Sequence, residues 1–300
     1  MNATRSDPAG LPARLGYPAH ARLLILNCDD LGSSHAANLA CLEAVETGIA
    51  TSATLMVPCP WAKEAAELFR DRDVGVHLTL TSEYPGYRWR ALTGAASLHD
   101  SDGCFPRTSE AVWAKADLAD VARECRAQVD QALAWGLDVT HLDSHMGTLQ
   151  LDPRFFEIYL DLAQAYRLPL RMSGPRAEGH LGFPARPAAE ARGLLFPDDF
   201  IFRWKDATAE MIRRHIPRMA PGVLEMIVHP VRDSPELRAY DREAAQVRVD
   251  DLACATSPDL AAFLAGQGVH RISYRPLRDL QRGGEAPERR DRGAWGSRGP

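Results

Sequence analysis

Lysine is almost missing from this chain. Only Lys63, Lys115 and Lys205 stand among its 35 basic residues, a bias that speaks of genome composition rather than mechanism. Acidic residues outnumber basic ones by 40 to 35, and the net charge of −5 argues against a nucleic-acid partner or an acidic membrane surface. No apolar run approaches the ~20 residues of a membrane helix, so no membrane partner is expected. The first twenty residues lack the apolar stretch of a secretory signal. Paired cysteines are absent too: Cys28, Cys41, Cys59, Cys104, Cys125 and Cys254 are scattered without a C-x-x-C. They read as reduced thiols, and the expected location is cytoplasmic. No G-x-G-x-x-G follows the first strand and no G-x-x-x-x-G-K occurs, which disfavours dinucleotide and P-loop chemistry.

What is present is a regular alternation. Apolar, β-branched runs at about 22–27, 51–57, 73–80, 137–144, 168–172, 222–228 and 270–274 read as strands. Helical patterns at about 35–47, 61–70, 116–135, 153–166, 207–215 and 258–267 separate most of them. Such alternation predicts an α/β fold with a parallel sheet and crossover helices. A TIM-barrel-like (β/α) barrel of about seven parallel strands fits best, with an open doubly wound sheet as the rival. Three hundred residues with 45% apolar content suit a barrel of this kind as one domain. The expected organisation is a flexible leader over 1–21, a catalytic barrel over 22–280 and a disordered tail over 281–300, both ends being poor in residues to bury. Residues 82–108 form a long aromatic and proline-containing excursion, either a surface insertion or a substrate-facing wall. Residues 173–204 carry no assignable pattern, and 232–250 read as a charged loop.

The first strand ends in Asn27-Cys28-Asp29-Asp30-Leu31-Gly32. Neighbouring side chains on a regular strand point to opposite faces, so Asp29 and Asp30 are expected to do different jobs. Three other strands deliver a histidine at or near their ends: His77, His145 and His229. In parallel α/β barrels that rim is where active sites lie. His141 and His145 form an H-x-x-x-H pair, but on a strand four residues span ~13 Å, too far for one ion with bonds of about 2 Å. His145 is therefore the expected metal ligand, and His141 and Asp143 share its face and orient it from behind. His77 and one of the two aspartates complete an Asp-His-His set with a position left open for water. The other aspartate becomes the candidate general base, and His229 suits a general acid. Together they describe metal-dependent hydrolysis of an amide or ester.

The stretches Asn27–Gly32, Gly75-Val76-His77-Leu78-Thr79-Leu80, Thr140-His141-Leu142-Asp143-Ser144-His145 and His229-Pro230 resemble the motifs of the YdjC/ChbG family. Its members are metal-dependent carbohydrate deacetylases with a deacetylase-type (β/α) barrel. The likeness runs from about Arg22 to Leu277. It implies Asp29 as base, Asp30, His77 and His145 as ligands of one divalent ion, His229 as acid, and Arg171 near the site. The implied substrate is an N-acetylated sugar or oligosaccharide. The implied ion is Zn²⁺ or Mg²⁺, with Mn²⁺ and Co²⁺ as further candidates. Family members often continue the fourth-strand motif with more histidines, whereas this chain reads His145-Met146-Gly147-Thr148, so part of the substrate wall differs. Another amide or ester hydrolase on the same barrel and a non-catalytic sugar-binding barrel are the alternatives; retention of both aspartates weighs against the second. The sequence leaves the oligomeric state open, a homodimer included.

Overall fold

The computed structural model describes residues 10–283. Seven parallel strands make one sheet: β1 (Arg22–Leu31), β2 (Ser52–Leu55), β3 (Val74–Leu78), β4 (Val139–Ser144), β5 (Asp199–Ile201), β6 (Gly222–Val228) and β7 (Val269–Arg271). They run in the order β4-β3-β2-β1-β6-β5, and β7 pairs with the start of β1. The central strand β1 is flanked on both edges, and Leu23, Leu24, Ile25 and Leu26 are fully buried. A parallel strand covered on both faces has no need of alternation, which is why it reads as an unbroken apolar run.

The sheet is an open path rather than a ring: among the described residues no ladder joins β4 to β5. The strand expected over 168–172 is reduced to a single bridge between Leu142 and Leu170. Pro169 has no N–H to donate, and Leu170 turns its own N–H to Leu195 at 3.0 Å. In exchange, β5 emerges from the stretch that the sequence left unassigned.

Local sequence sets the crossovers. The helix His35–Glu46 starts where Ser34 Oγ accepts from Ala37 N at 3.1 Å, and Pro153–Tyr166 starts on a proline behind Asp152. Phe69, Phe155, Phe156 and Tyr159 fill the space between helices and sheet. The excursion over 82–108 buries Trp89, Leu98 and Phe105 and is held in part by Trp89 Nε1 donating to Thr81 O at 2.7 Å.

Two expectations need correction. The supposed leader carries a short helix, Leu11–Arg14, and Leu11 and Leu15 pack with Leu23, Ile25 and Val223. Only residues 1–9 of that leader, and 284–300 of the supposed tail, lie outside the described residues. The supposed charged loop over 232–250 instead contains the helix Pro235–Tyr240 and the start of another, Ala245–Ala255. No helix among the described residues is long and apolar enough to cross a membrane.

Candidate active site

Asp29 and Asp30 face the same cavity, against the simple alternation rule. Between the pairs Cys28–Ala53 and Leu31–Leu55, β1 spends three residue steps where β2 spends two. That extra residue is a β-bulge, and Asp30 takes it up in the left-handed region, at φ 62°. Aspartate tolerates this conformation better than most residues. Gly32 follows at φ 90°, and a Cβ there would stand 2.9 Å from Leu55 Cδ1, so the turn packs closely only with glycine.

Asp30, His77 and His145 converge. Asp30 Oδ1 lies 3.5 Å from His77 Nε2 and 3.3 Å from His145 Nδ1, and the two nitrogens are 3.3 Å apart. A tetrahedral ion with bonds of about 2.0–2.1 Å sets its ligand atoms about 3.4 Å apart, so this triangle has the size of one face of such a site. Asp30 Oδ1 is buried and has no hydrogen-bond partner. Burial opposes a charge on His77, yet the Asp143 carboxylate beside it pushes its pKa up to about 10. Burial likewise opposes a charge on His145, and Glu83 with Asp30 pushes it up to about 9. Two N–H groups cannot both occupy the 3.3 Å gap between these rings. One cation held through the nitrogen lone pairs answers the same surplus of carboxylate charge without that conflict. The donor set therefore fits a divalent metal.

The other ring nitrogens are fixed from behind. Asp143 Oδ1 is 2.6 Å from His77 Nδ1, and Glu83 Oε2 is 3.1 Å from His145 Nε2. Asp143 Oδ2 also accepts from Thr54 Oγ1 at 2.9 Å and forms an ion pair with Arg171 Nη1 at 2.7 Å. Carboxylates in this position fix the imidazole tautomer and strengthen it as a ligand.

Arg171 is buried among three carboxylates. Its Nη1 and Nη2 each donate to Asp29 at 2.7 Å, and its Nε donates to Glu225 at 3.0 Å. Burial raises the Asp29 pKa, but the Arg171 charge outweighs it and leaves the carboxyl at about 2. Glu225 goes the other way: burial lifts it to about 7 despite Arg171 and the Tyr274 hydroxyl. Asn27 Nδ2 donates to Asp29 Oδ1 at 2.8 Å. Of the roughly four acceptor positions on a carboxylate, Asp29 thus keeps one open, on Oδ2.

His229 directly follows β6 and lines the cavity, its backbone N–H donating to Asp251 Oδ2 at 2.8 Å. Its buried Nδ1 has no hydrogen-bond partner, and the nearest Asp251 oxygen is 3.8 Å away. Phe202 and Trp204 pack around the ring, centroids at 5.4 and 5.0 Å. The cavity measures about 480 Å³. Asp29, Asp30, His77, His145, Arg171 and His229 all line it.

Two of the residues chosen from sequence stand elsewhere or serve another neighbour. His141 does not orient His145: it stacks on Tyr274 at 3.8 Å, with Nδ1 3.0 Å from Thr140 Oγ1. Gly75 makes room for it, since a Cβ there would meet the imidazole at 2.6 Å. Burial, with Arg171 adding to it, holds His141 well below its usual pKa, as a neutral packing group. Asp143 does orient a histidine, but it is His77. Sequence reasoning missed Glu83, Arg248, Asp251 and the Phe200–Phe202–Trp204 wall, because they sit in segments that offered no strand end to place them.

The family model described as YdjC-like protein matches residues 23–266. Among curated relatives, a carbohydrate deacetylase from Thermus thermophilus is 37% identical over 89% of this chain and 97% of its own length. A carbohydrate deacetylase from Geobacillus stearothermophilus is 36% identical over 86% of this chain and 99% of its own. A solved protein from Enterococcus faecalis, assigned to cellobiose-phosphate cleavage, superposes with a TM-score of 0.73 at 24% identity, covering 86% of this chain and 99% of its own. At that identity the likeness speaks for the fold.

Proposed function

The chain belongs to the YdjC-like protein family, and on that premise we propose that it is a metal-dependent deacetylase of N-acetylated sugars or oligosaccharides. The observation that carries the reading is the triangle of Asp30 Oδ1, His77 Nε2 and His145 Nδ1, with 3.3–3.5 Å sides and an unpartnered oxygen, in a cavity that Asp29 and His229 also line. Asp30, His77 and His145 would hold one divalent ion; two imidazoles and a carboxylate suit Zn²⁺, with Mg²⁺, Mn²⁺ and Co²⁺ as the other candidates. When bound, such an ion supplies Lewis acidity, which makes water acidic enough for a carboxylate of low basicity and the acetyl carbonyl a better electrophile.

The remaining work falls to the chain itself. Arg171 keeps Asp29 ionised at neutral pH and fixes its plane with two 2.7 Å bonds. Asp29 takes the proton as a water oxygen bonds to the acetyl carbon. His229 gives a proton to the sugar nitrogen as the C–N bond breaks, so acetate and a free amine leave. Phe202 and Trp204 wall the imidazole on one side and limit its access to water. An acetate-release screen across N-acetylated mono- and oligosaccharides tests the reading. Release from at least one of them, abolished in Asp29→Asn, supports it; release from aryl acetates alone would favour an ester hydrolase on the same scaffold.

A further inference from the structure

Arg248 bonds to Asp30 rather than to either imidazole. It lies on the helix Ala245–Ala255 with its side chain buried, in the wall shared by the site cavity and a neighbouring one of about 720 Å³. All three guanidinium nitrogens are committed. Nη1 donates to Asp30 Oδ2 at 2.8 Å, Nε to Asp241 Oδ2 at 2.7 Å and Nη2 to Tyr84 Oη at 2.7 Å. Tyr84 in turn donates to Asp241 Oδ2 at 3.3 Å, and Trp204 lies over the guanidinium at 5.4 Å.

Among the described residues no other hydrogen bond fixes the Asp30 carboxylate, whose other oxygen has no partner. A carboxylate free to turn about its last bond could present either oxygen, or both, to a cation. With Oδ2 engaged by Arg248, only Oδ1 faces His77 and His145. We propose that Arg248 is a positioning residue that commits Asp30 to single-oxygen metal coordination, and that Tyr84 and Asp241 clamp it for that task. The proposal rests on the metal-site reading above and adds to it a residue outside the recognised motifs. A lysine keeps the charge but cannot reproduce three bonds in a planar fork.

The test is metal affinity, measured on stripped protein by competition with a fluorescent Zn²⁺ chelator, alongside the visible spectrum of the Co²⁺-loaded form. Arg248→Lys should weaken Zn²⁺ binding about 10–100-fold, the usual cost of losing a group that orients a ligand. Tyr84→Phe removes both the bond to Arg248 and the bond to Asp241 and should weaken it about 2–10-fold. Both should change the Co²⁺ bands, and circular dichroism would identify a variant that has not folded. Tyr84→Phe keeps the question answerable if Arg248→Lys does not fold. Wild-type affinity and an unchanged Co²⁺ spectrum in the folded variants would overturn the proposal while leaving the site itself intact. Equal Zn²⁺ affinity in wild type and His145→Ala would instead remove the metal site, and this inference with it.

Discussion

Asp29 and Asp30 are consecutive in the chain yet serve one cavity from different partners: Asp29 is gripped by Arg171, Asp30 by Arg248. The bulge in β1 makes this arrangement available, by turning a second carboxylate onto a face that regular alternation would deny it. One is held ionised beside a guanidinium, and the other is left with a bare oxygen.

The division among the histidines is open to direct measurement. His145→Ala should lose bound metal, whereas His141→Ala should keep it, because His141 stacks on Tyr274 away from the triangle. Elemental analysis of both purified variants checks this, and equal loss in the two would contradict the geometry.

Asp29→Asn and His229→Ala should both retain metal and differ by leaving group. An amine must be protonated to depart, while an aryl acetate releases a phenolate unaided. His229→Ala should therefore lose far more activity on an N-acetyl sugar than on an aryl acetate. Asp29→Asn should fall ~10²–10⁴-fold on both, the usual range for acid–base catalysis. Steady-state rates for the four combinations decide it; equal losses throughout would remove His229 from the acid role.

The Asp29–Arg171 pair carries a pH signature in the metal-free protein. The folded carboxyl sits at about 2, below the ~3.9 of an unfolded aspartate. A depressed pKa contributes stability that is present above about pH 4 and lost as pH falls toward 2, roughly 2–3 kcal/mol in all. Urea unfolding of wild type and Asp29→Asn between pH 5 and 2.5 should show their stability difference shifting against the wild type as pH drops. A difference constant over that range would contradict the assigned pairing.

Trp204 offers a test of the cavity wall. It is 42% exposed and lines both neighbouring cavities. Trp204→Ala should raise KM about tenfold with metal content unchanged, since a large aromatic face supplies contact area. An unchanged KM on every accepted substrate would exclude it from the binding surface.

Much of this site was legible because its chemistry sits where strands end. Apolar runs located β1, β3, β4 and β6, and the polar residues closing them were Asp29, Asp30, His77, His145 and His229. Two things hid the rest. The bulge at Asp30 is a backbone event with no side-chain period of its own. The helix Ala245–Ala255 buries Arg248 and Asp251 along with Ala245, Cys254 and Ala255. Charges on the inward face erase the apolar stripe by which a helix is recognised, so the segment around Arg248 reads as a solvated loop. Glu83 was hidden for a similar reason: its segment follows no repeating pattern, and only the folded excursion brings it to His145.

The most direct test of the whole account is acetate release by stripped protein during stepwise addition of Zn²⁺ with an N-acetylated oligosaccharide as substrate. Activity should be absent at the start, rise in proportion to metal and level off at one ion per chain, with no rise in His145→Ala. Full acetate release by the stripped wild type, or a rise in His145→Ala matching it, would contradict the central claim.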